Sequence, residues 1–378
     1  MNPLRQIRDA LRAWSEQVEV LPAVGGALEE LLHPDAEERE EHAYTDERMY
    51  DTIYELSDEG EWWWQGVSRA TPPLPRHELH LFRYFLDGSF RSYFLGTVLE
   101  GERNSSVHYA QVGACVLHRL DNGTVEKVHL ESRHHLLVDR RSLSDTAWSR
   151  LESAAGGAVI LEDLSEQVPF TRASGDVDTR VLADGKIRFR MRELEASLME
   201  RVFGNLSEEK WLIVDGSLMF APVLQYLRAQ YGEQIAPVLG VSKNFRKDPQ
   251  FSFGRGVRAD RFSIYSLLAQ LPHEHRTPAF RAYEGEIVFW YVRLRAQGQV
   301  DYPLMGVVKC ELMTPGGKPV PTELIDKLSR ALVAERNVTP HGRDRRWHVH
   351  LYPIFLAEEA IRSTFYSREV VRQLMRWR

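Results

Sequence analysis

The chain has 378 residues, enough for two domains or for one domain with sizeable insertions, and its 43% hydrophobic and 10% aromatic content supports a packed core. A formal net charge of −6 excludes a uniformly basic nucleic-acid binder, though not a protein that confines its basic residues to a groove. Two cysteines, Cys115 and Cys310, exclude a cysteine-based zinc site and fit a reducing compartment; with a charged N-terminus and no apolar run near the ~20 residues of a bilayer span, a soluble, cytoplasmic protein is expected.

Leu4, Ile7, Leu11 and Trp14 fall at helical spacing and Leu28, Leu31 and Leu32 repeat it. A helical N-terminal arm is therefore expected over 1–75, ending at the break Pro72-Pro73-Leu74-Pro75. Within it Trp62-Trp63-Trp64 cannot all face one way, and reads as a core plug or a partner-docking patch. Strand-like segments follow at 79–86, 92–100, 107–120 and 126–130, the last two joined by the hairpin signal Asp121-Asn122-Gly123. Residues 140–182 are less regular and read as an insertion. A helix is expected over 187–202, a buried strand at 211–214, a helix over 221–231 and a strand over 236–241. Two antiparallel strands, 286–295 and 303–312, flank Gln297-Gly298-Gln299; a helix over 321–334, a strand at 347–351 and helical segments over 356–377 complete the chain. Antiparallel strands first and β-α-β units afterwards predict an α/β fold with a mixed sheet and helices packed on it.

Asp-Gly-Ser occurs twice, as Asp87-Gly88-Ser89 and Asp215-Gly216-Ser217, each after an apolar run. Asp-Gly is a common hairpin dipeptide. An acid at a strand end followed by Gly also points a carboxylate off the sheet beside a tight turn, and two such acids on neighbouring strands repel unless a cation lies between them. The pattern thus points to a divalent-metal site of hard oxygen ligands. Glu193, Glu195 and Glu200, on the helix leading into the second copy, are further candidate ligands. Lys243, ending Gly240-Val241-Ser242-Lys243, is placed to hold a phosphate or stabilise developing negative charge. In 244–282, Arg255, Arg258, Arg261 and Arg276 interleave with Phe251, Phe253 and Phe262, the mixture that grips single strands. His348 and His350 would share a face of a strand. His134-His135 and His273-Glu274-His275 are weaker metal-site signals. No phosphate-binding Gly-Lys-Ser/Thr loop, dinucleotide fingerprint, Gly-x-Ser-x-Gly elbow or thiol-nucleophile signature is present.

An early Asp-Gly-Ser, a helix with Leu194-Glu195, the strand end Val214-Asp215-Gly216-Ser217-Leu218, then Gly-Val-Ser-Lys and a late Tyr352-Pro353-Ile354-Phe355-Leu356 resemble, in this order, the NurA nuclease family from about residue 80 to the C-terminus. The resemblance implies an RNase H-like mixed β-sheet, akin to Piwi domains, flanked by helices, with the nuclease domain spanning 76–378. It implies a manganese-dependent (or magnesium-dependent) nuclease acting at ends of single- and double-stranded DNA. It also implies a homodimer docked on HerA, a hexameric ATPase and translocase, with no membrane involved. By position, Asp87 and Asp215 match the metal-binding aspartates, Glu195 the helix glutamate and Lys243 the lysine; the helix register leaves Glu193 and Glu200 open. The family's late histidine is replaced by Ala360, and His350 or Glu359 is left to take its role, or the second metal is bound weakly.

The expected chemistry is metal-assisted phosphodiester hydrolysis, with Asp87, Glu195 and Asp215 on the metal and Lys243 on the scissile phosphate. A DNA-binding adaptor subunit of an ATPase complex and a small-nucleotide phosphohydrolase are the competing readings.

Overall fold

The structure, a computed structural model, describes residues 3–23, 55–56, 68–75, 81–157, 159–166, 179–245, 250–253, 260–282, 286–298, 301–314, 316, 319–336 and 347–375. The strands in chain order are β1 (Glu19–Pro22), β2 (Glu55–Leu56), β3 (Arg69–Ala70), β4 (Phe82–Glu100), β5 (Arg103–Arg119), β6 (Val125–Val138), β7 (Ile160–Asp163), β8 (Trp211–Asp215), β9 (Val238–Ser242), β10 (Gln250–Phe253), β11 (Asp260–Ser263), β12 (His275–Arg276), β13 (Phe280–Ala282), β14 (Ile287–Arg293), β15 (Val307–Met313) and β16 (Val320–Pro321). The α-helices are α1 (Pro3–Ser15), α2 (Asp145–Ala155), α3 (Thr179–Glu200), α4 (Ala221–Tyr231), α5 (Ile264–Ala269), α6 (Thr322–Glu335), α7 (Tyr352–Arg362) and α8 (Arg368–Leu374).

Among the described residues most strands join one mixed sheet in the order β3-β12-β14-β15-β9-β8-β4-β5-β6-β7, with β1 and β13 added at β4 and β14. At its centre β5 runs antiparallel to both of its neighbours, β6 and β4, and β8 and then β9 continue parallel to β4. This is the expected α/β class: a large mixed sheet flanked by helices. No described helix is long and apolar enough to cross a membrane.

The alternation of β4, shifted once by an irregularity between Phe82 and Tyr84, explains the layering. Tyr84 and Leu86 pack with Leu194, Leu198 and Met199 of α3, whereas Phe82 and Phe85 pack with Ile325 and Leu328 of α6 and Ile354 and Ile361 of α7. Farther along, Tyr93 and Leu95 join Tyr109 and Leu136 in a third cluster, closed by Leu4, Leu11 and Trp14 of α1, Leu151 of α2 and Val371 of α8. The expected N-terminal helix is thus α1; β1 then pairs with the far end of β4, while the 28–32 repeat and Trp62-Trp63-Trp64 lie outside the described residues.

Several boundaries differ from expectation. Residues 82–86 of the first expected strand and the whole of 92–100 belong to one strand, β4, which runs through Asp87 and Gly88 without a turn: Asp87 pairs with Cys115 and Gly88 with Ala114. The predicted 126–130 strand extends to Val138, because β5 supplies a partner along its whole length. Asp121-Asn122-Gly123 does form the β5–β6 turn, with Gly123 at φ 82° and Leu120 N–H donating to the Thr124 carbonyl at 2.9 Å. In the 140–182 region, α2 leads to β7, which joins the sheet parallel to β6. The expected strand at 347–351 is instead a 3₁₀ turn, Trp347–Val349, so His348 and His350 do not alternate on a strand.

Candidate functional site

Asp215 ends β8, as the apolar run Trp211-Leu212-Ile213-Val214 predicts, and pairs there with Val241 of β9. The chain then turns at Gly216, whose φ of 120° favours glycine and whose N–H donates to the Val241 carbonyl at 2.9 Å. The turn is held from two sides. Glu311 of β15, fully buried, accepts from Ser217 Oγ at 2.7 Å and from Leu218 N–H at 2.8 Å, and is itself neutralised by Lys309 at 2.9 Å. Arg192 of α3 donates to the Ser217 carbonyl and lies 3.6 Å from Glu195. A Cβ at Gly216 would come within 2.9 Å of the Arg192 guanidinium, so the second glycine provides both the turn and room for this clamp.

Asp87 is placed differently from the expectation. It sits inside β4, one residue beyond the Leu86–Val214 pair that ends the β4–β8 ladder. Gly88 has no left-handed backbone. Its role is steric: any side chain there would overlap the carboxylate of Glu195, which reaches across from α3. The first Asp-Gly is therefore a strand position shaped for a neighbour, not a turn.

Of the three helix acids, Glu195 faces the site, 3% exposed. Glu193 pairs with Arg190 at 2.6 Å on a more open face, and Glu200 is exposed. Lys243, just past β9, bonds Asp215 Oδ2 through Nζ at 2.6 Å. Asp87 is 5% exposed, and its carboxyl is held well above the usual range by burial and then by the charge of Asp215; Lys243 opposes the rise, while Glu358 and Glu195 add to it. Burial works against the charge on Lys243, but Asp215, Asp87 and Glu358 outweigh it and raise the ammonium above its ordinary value.

Glu358, on α7, is the acid that sequence reading missed. It is 9% exposed and pairs with Arg362 at 2.5 Å, whereas its neighbour Glu359, the candidate named from sequence, is exposed. The signal was there in the helical phase: Glu358 is four residues after Ile354 and three before Ile361, both fully buried. Ile361 packs over Gly113, where a Cβ would lie 2.6 Å from it, and this close approach seats α7 on the sheet beside Asp87.

The structure thus brings Asp87, Glu195, Asp215 and Lys243 together and adds Glu358. His350 is fully buried beyond the 3₁₀ turn and is not among the groups whose charge acts on Asp87; His348 accepts from Gly306 N–H at 3.2 Å. Arg276, expected to contact nucleic acid, is fully buried against Asp326 at 2.7 Å. Arg255 and Arg258 lie outside the described residues, as do the side chains of Phe251, Phe253, Arg261 and Phe262. His134 is tied to Tyr109 and His135 to Glu162, and His275 bonds the His273 carbonyl, so neither histidine pair forms a metal site.

The donor set fits a hard divalent cation in kind: carboxylates, with no thiolate or histidine among the groups acting on Asp87. Among the described residues, no three His, Cys, Asp or Glu side chains are grouped closely enough to enclose an ion, and the Lys243 ammonium supplies the positive charge between Asp87 and Asp215.

No protein-family model and no curated protein matches the chain. Among solved structures, the Argonaute of Marinitoga piezophila in complex with a 5′ OH guide RNA and target DNA is similar at 10% identity and a TM-score of 0.28, over 79% of this chain and 32% of the Argonaute. The chain therefore spans about a third of that protein, and likeness at this level carries no argument about activity.

Proposed function

We propose that the protein is a metal-dependent nuclease that hydrolyses phosphodiester bonds in DNA. The observation that carries this reading is the convergence of three acids, Asp87, Asp215 and Glu358, on Lys243 at the end of the β4–β8 ladder, with a fourth, Glu195, acting on Asp87. Acids brought from four elements at such electrostatic cost are a functional arrangement more often than a structural one. Asp87, Asp215 and Glu195 would hold Mn²⁺ or Mg²⁺, with Glu358 in the place the missing late histidine leaves. The metal, when bound, activates water and stabilises the departing oxygen. Lys243 then neutralises the scissile phosphate, and Arg192 and Glu311 fix the turn that aims Asp215.

The order of motifs supports the finer reading of a NurA-like enzyme, a homodimer working at DNA ends with a HerA-type hexameric ATPase in resection, repair or defence. A second reading, a weakly active or inactive DNA-binding adaptor of such a motor, draws support from Ala360 and from the Lys243–Asp215 bond, which already neutralises one acid.

The test uses purified protein and end-labelled linear DNA with Mn²⁺, Mg²⁺ or EDTA, beside Asp87→Ala and Asp215→Ala. Metal-dependent shortening that both variants lose, by about 10²-fold or more, is expected. Wild-type cleavage by either variant refutes the site. DNA left uncut at every metal concentration, with and without the ATPase, selects the adaptor.

A further inference from the structure

Arg295 carries a charge that the fold does not balance. It lies just past the end of β14 and is half-buried, and its Nε and Nη2 are shut off from solvent with no hydrogen-bond partner. Nor does it form an ion pair among the described residues. What seats it is a ring and a glycine. The guanidinium stacks over Trp347 at 4.4 Å, and a Cβ at Gly306, φ 76°, would come within 3.0 Å of the Arg295 Cβ. The charge that acts on it has the same sign: burial first, and then Arg336, lower the Arg295 guanidinium below its ordinary value. Arg336 donates Nη1 to the Val333 carbonyl at 2.7 Å and keeps Nη2 3.9 Å from Glu274. A buried guanidinium without a partner is costly. Its planar fork of N–H donors, fixed by a stacked ring, matches a phosphate.

The sheet places this group relative to the acids. β14 is antiparallel to β15 and β15 to β9, so β14 runs parallel to β9, β8 and β4. Its C-terminal end therefore shares one edge of the sheet with Asp215 and Lys243. Asp215 pairs with Val241, Val241 with Cys310 and Cys310 with Trp290, which puts Arg295 five residues beyond the level of Asp215. With three strand spacings of ~4.8 Å and a rise of ~3.3 Å per residue, Arg295 lies roughly 20 Å from Asp215. The segment after Trp347 leads back to the acids. Leu351 bridges to Arg336, Tyr352 opens α7 at 53% exposed, and Glu358 follows ~9 Å along that helix.

We propose that Arg295 forms a distal phosphate subsite, which takes a backbone phosphate of single-stranded nucleic acid several nucleotides from the scissile one, with Arg336 adding positive charge. The inference rests on the hydrolase reading and deepens it: the substrate is a polymer, since a mononucleotide held at Asp87 does not reach Arg295. Two features favour a nucleic-acid strand over a free phosphate ion. The subsite stands on the same sheet edge as the acids. Tyr352, on the segment that joins the two, exposes a ring on which an unpaired base can stack.

The test is fluorescence anisotropy of the full-length protein with a labelled oligothymidylate of about 16 nucleotides, in EDTA, over a salt series. Arg295→Met keeps an unbranched chain over Trp347 and removes the charge. It is expected to weaken binding about tenfold and to lower the salt slope by about 0.7, the share of one phosphate on a single strand. The same variant should melt at or above the wild-type temperature, because the fold loses an unbalanced charge. Wild-type affinity and slope in Arg295→Met overturn the subsite, as does a wild type that binds no oligonucleotide. A variant that melts well below wild type overturns it too, since Arg295 then serves the fold. Melts repeated in inorganic phosphate separate the sources: stabilisation that needs Arg295, beside oligonucleotide binding that does not, leaves a free-phosphate site and removes the polymer. Hydrolysis of bis(p-nitrophenyl) phosphate with Mn²⁺ by the wild type scores the parent reading separately. Hydrolysis with Arg295-independent binding sinks only the subsite, and Arg295-dependent binding with no hydrolysis sinks only the hydrolase.

Discussion

Gly88 shows how one residue type serves two ends. At Gly216 the missing side chain permits a backbone turn; at Gly88 it leaves room for the Glu195 carboxylate. Gly88→Ala tests this. The backbone conformation suits alanine, so the cost comes from displacing Glu195 alone, about 1–3 kcal/mol of overpacking. Cleavage should fall about 10²-fold, the penalty of moving a catalytic group by an ångström, while Gly101→Ala, in an exposed turn, leaves cleavage unchanged. Initial rates and melting temperatures of the two variants read both effects. The repeated tripeptide was legible in sequence, as was the pairing of distant acids. That the first copy lies inside a strand was not, because an Asp-Gly pair carries the same turn signal whether or not β5 is there to continue the ladder.

At the scale of elements, α3 decides the site, and a buried ionic network holds it. Glu162 of β7, 2% exposed, accepts from Arg190 at 2.8 Å on each oxygen and pairs with His135 Nδ1 at 3.0 Å, with Lys186 at 3.8 Å. Burial pushes the Glu162 carboxyl up, but the His135 and Arg190 hydrogen bonds outweigh it and hold it below the usual range. A carboxyl whose folded pKa lies below its unfolded value near 4.3 contributes stability fully above that value and loses it as pH falls through the folded one. Glu162→Gln should therefore destabilise by about 3 kcal/mol at pH 7, with the gap to wild type closing below about pH 4. Denaturant unfolding at both pH values measures it, and a gap that stays constant with pH would show that the charge of Glu162 does not hold α3. The order of strands and helices was readable from hydrophobic period. This network was not, since His135, Glu162 and Arg190 are far apart in sequence and ordinary in type. Nor was the 3₁₀ turn at Trp347–Val349, whose alternating pattern mimics a short strand.

The whole molecule is a long central sheet whose β4 is shared. Its start pairs with β8 as far as Leu86, its far end with β1 from Gly96 to Leu99, and Asp87 stands where the β8 ladder stops. An N-terminal helix and strand thus brace the same strand that carries Asp87, although the sequence reads as an arm set apart from the nuclease core. Charge follows the same plan: a chain of net charge −6 gathers Lys243 and Arg192 beside the acids, a local pattern that bulk composition hides. The central claim is that Asp87 and Asp215, 128 residues apart in sequence, form one divalent-metal centre. Titration of Mn²⁺ into the metal-free protein, followed by the electron paramagnetic resonance of free Mn²⁺, tests it most directly. The account predicts saturable binding that Asp87→Asn and Asp215→Asn each weaken by at least about tenfold, with the folds intact. Equal Mn²⁺ binding by wild type and both variants would contradict it.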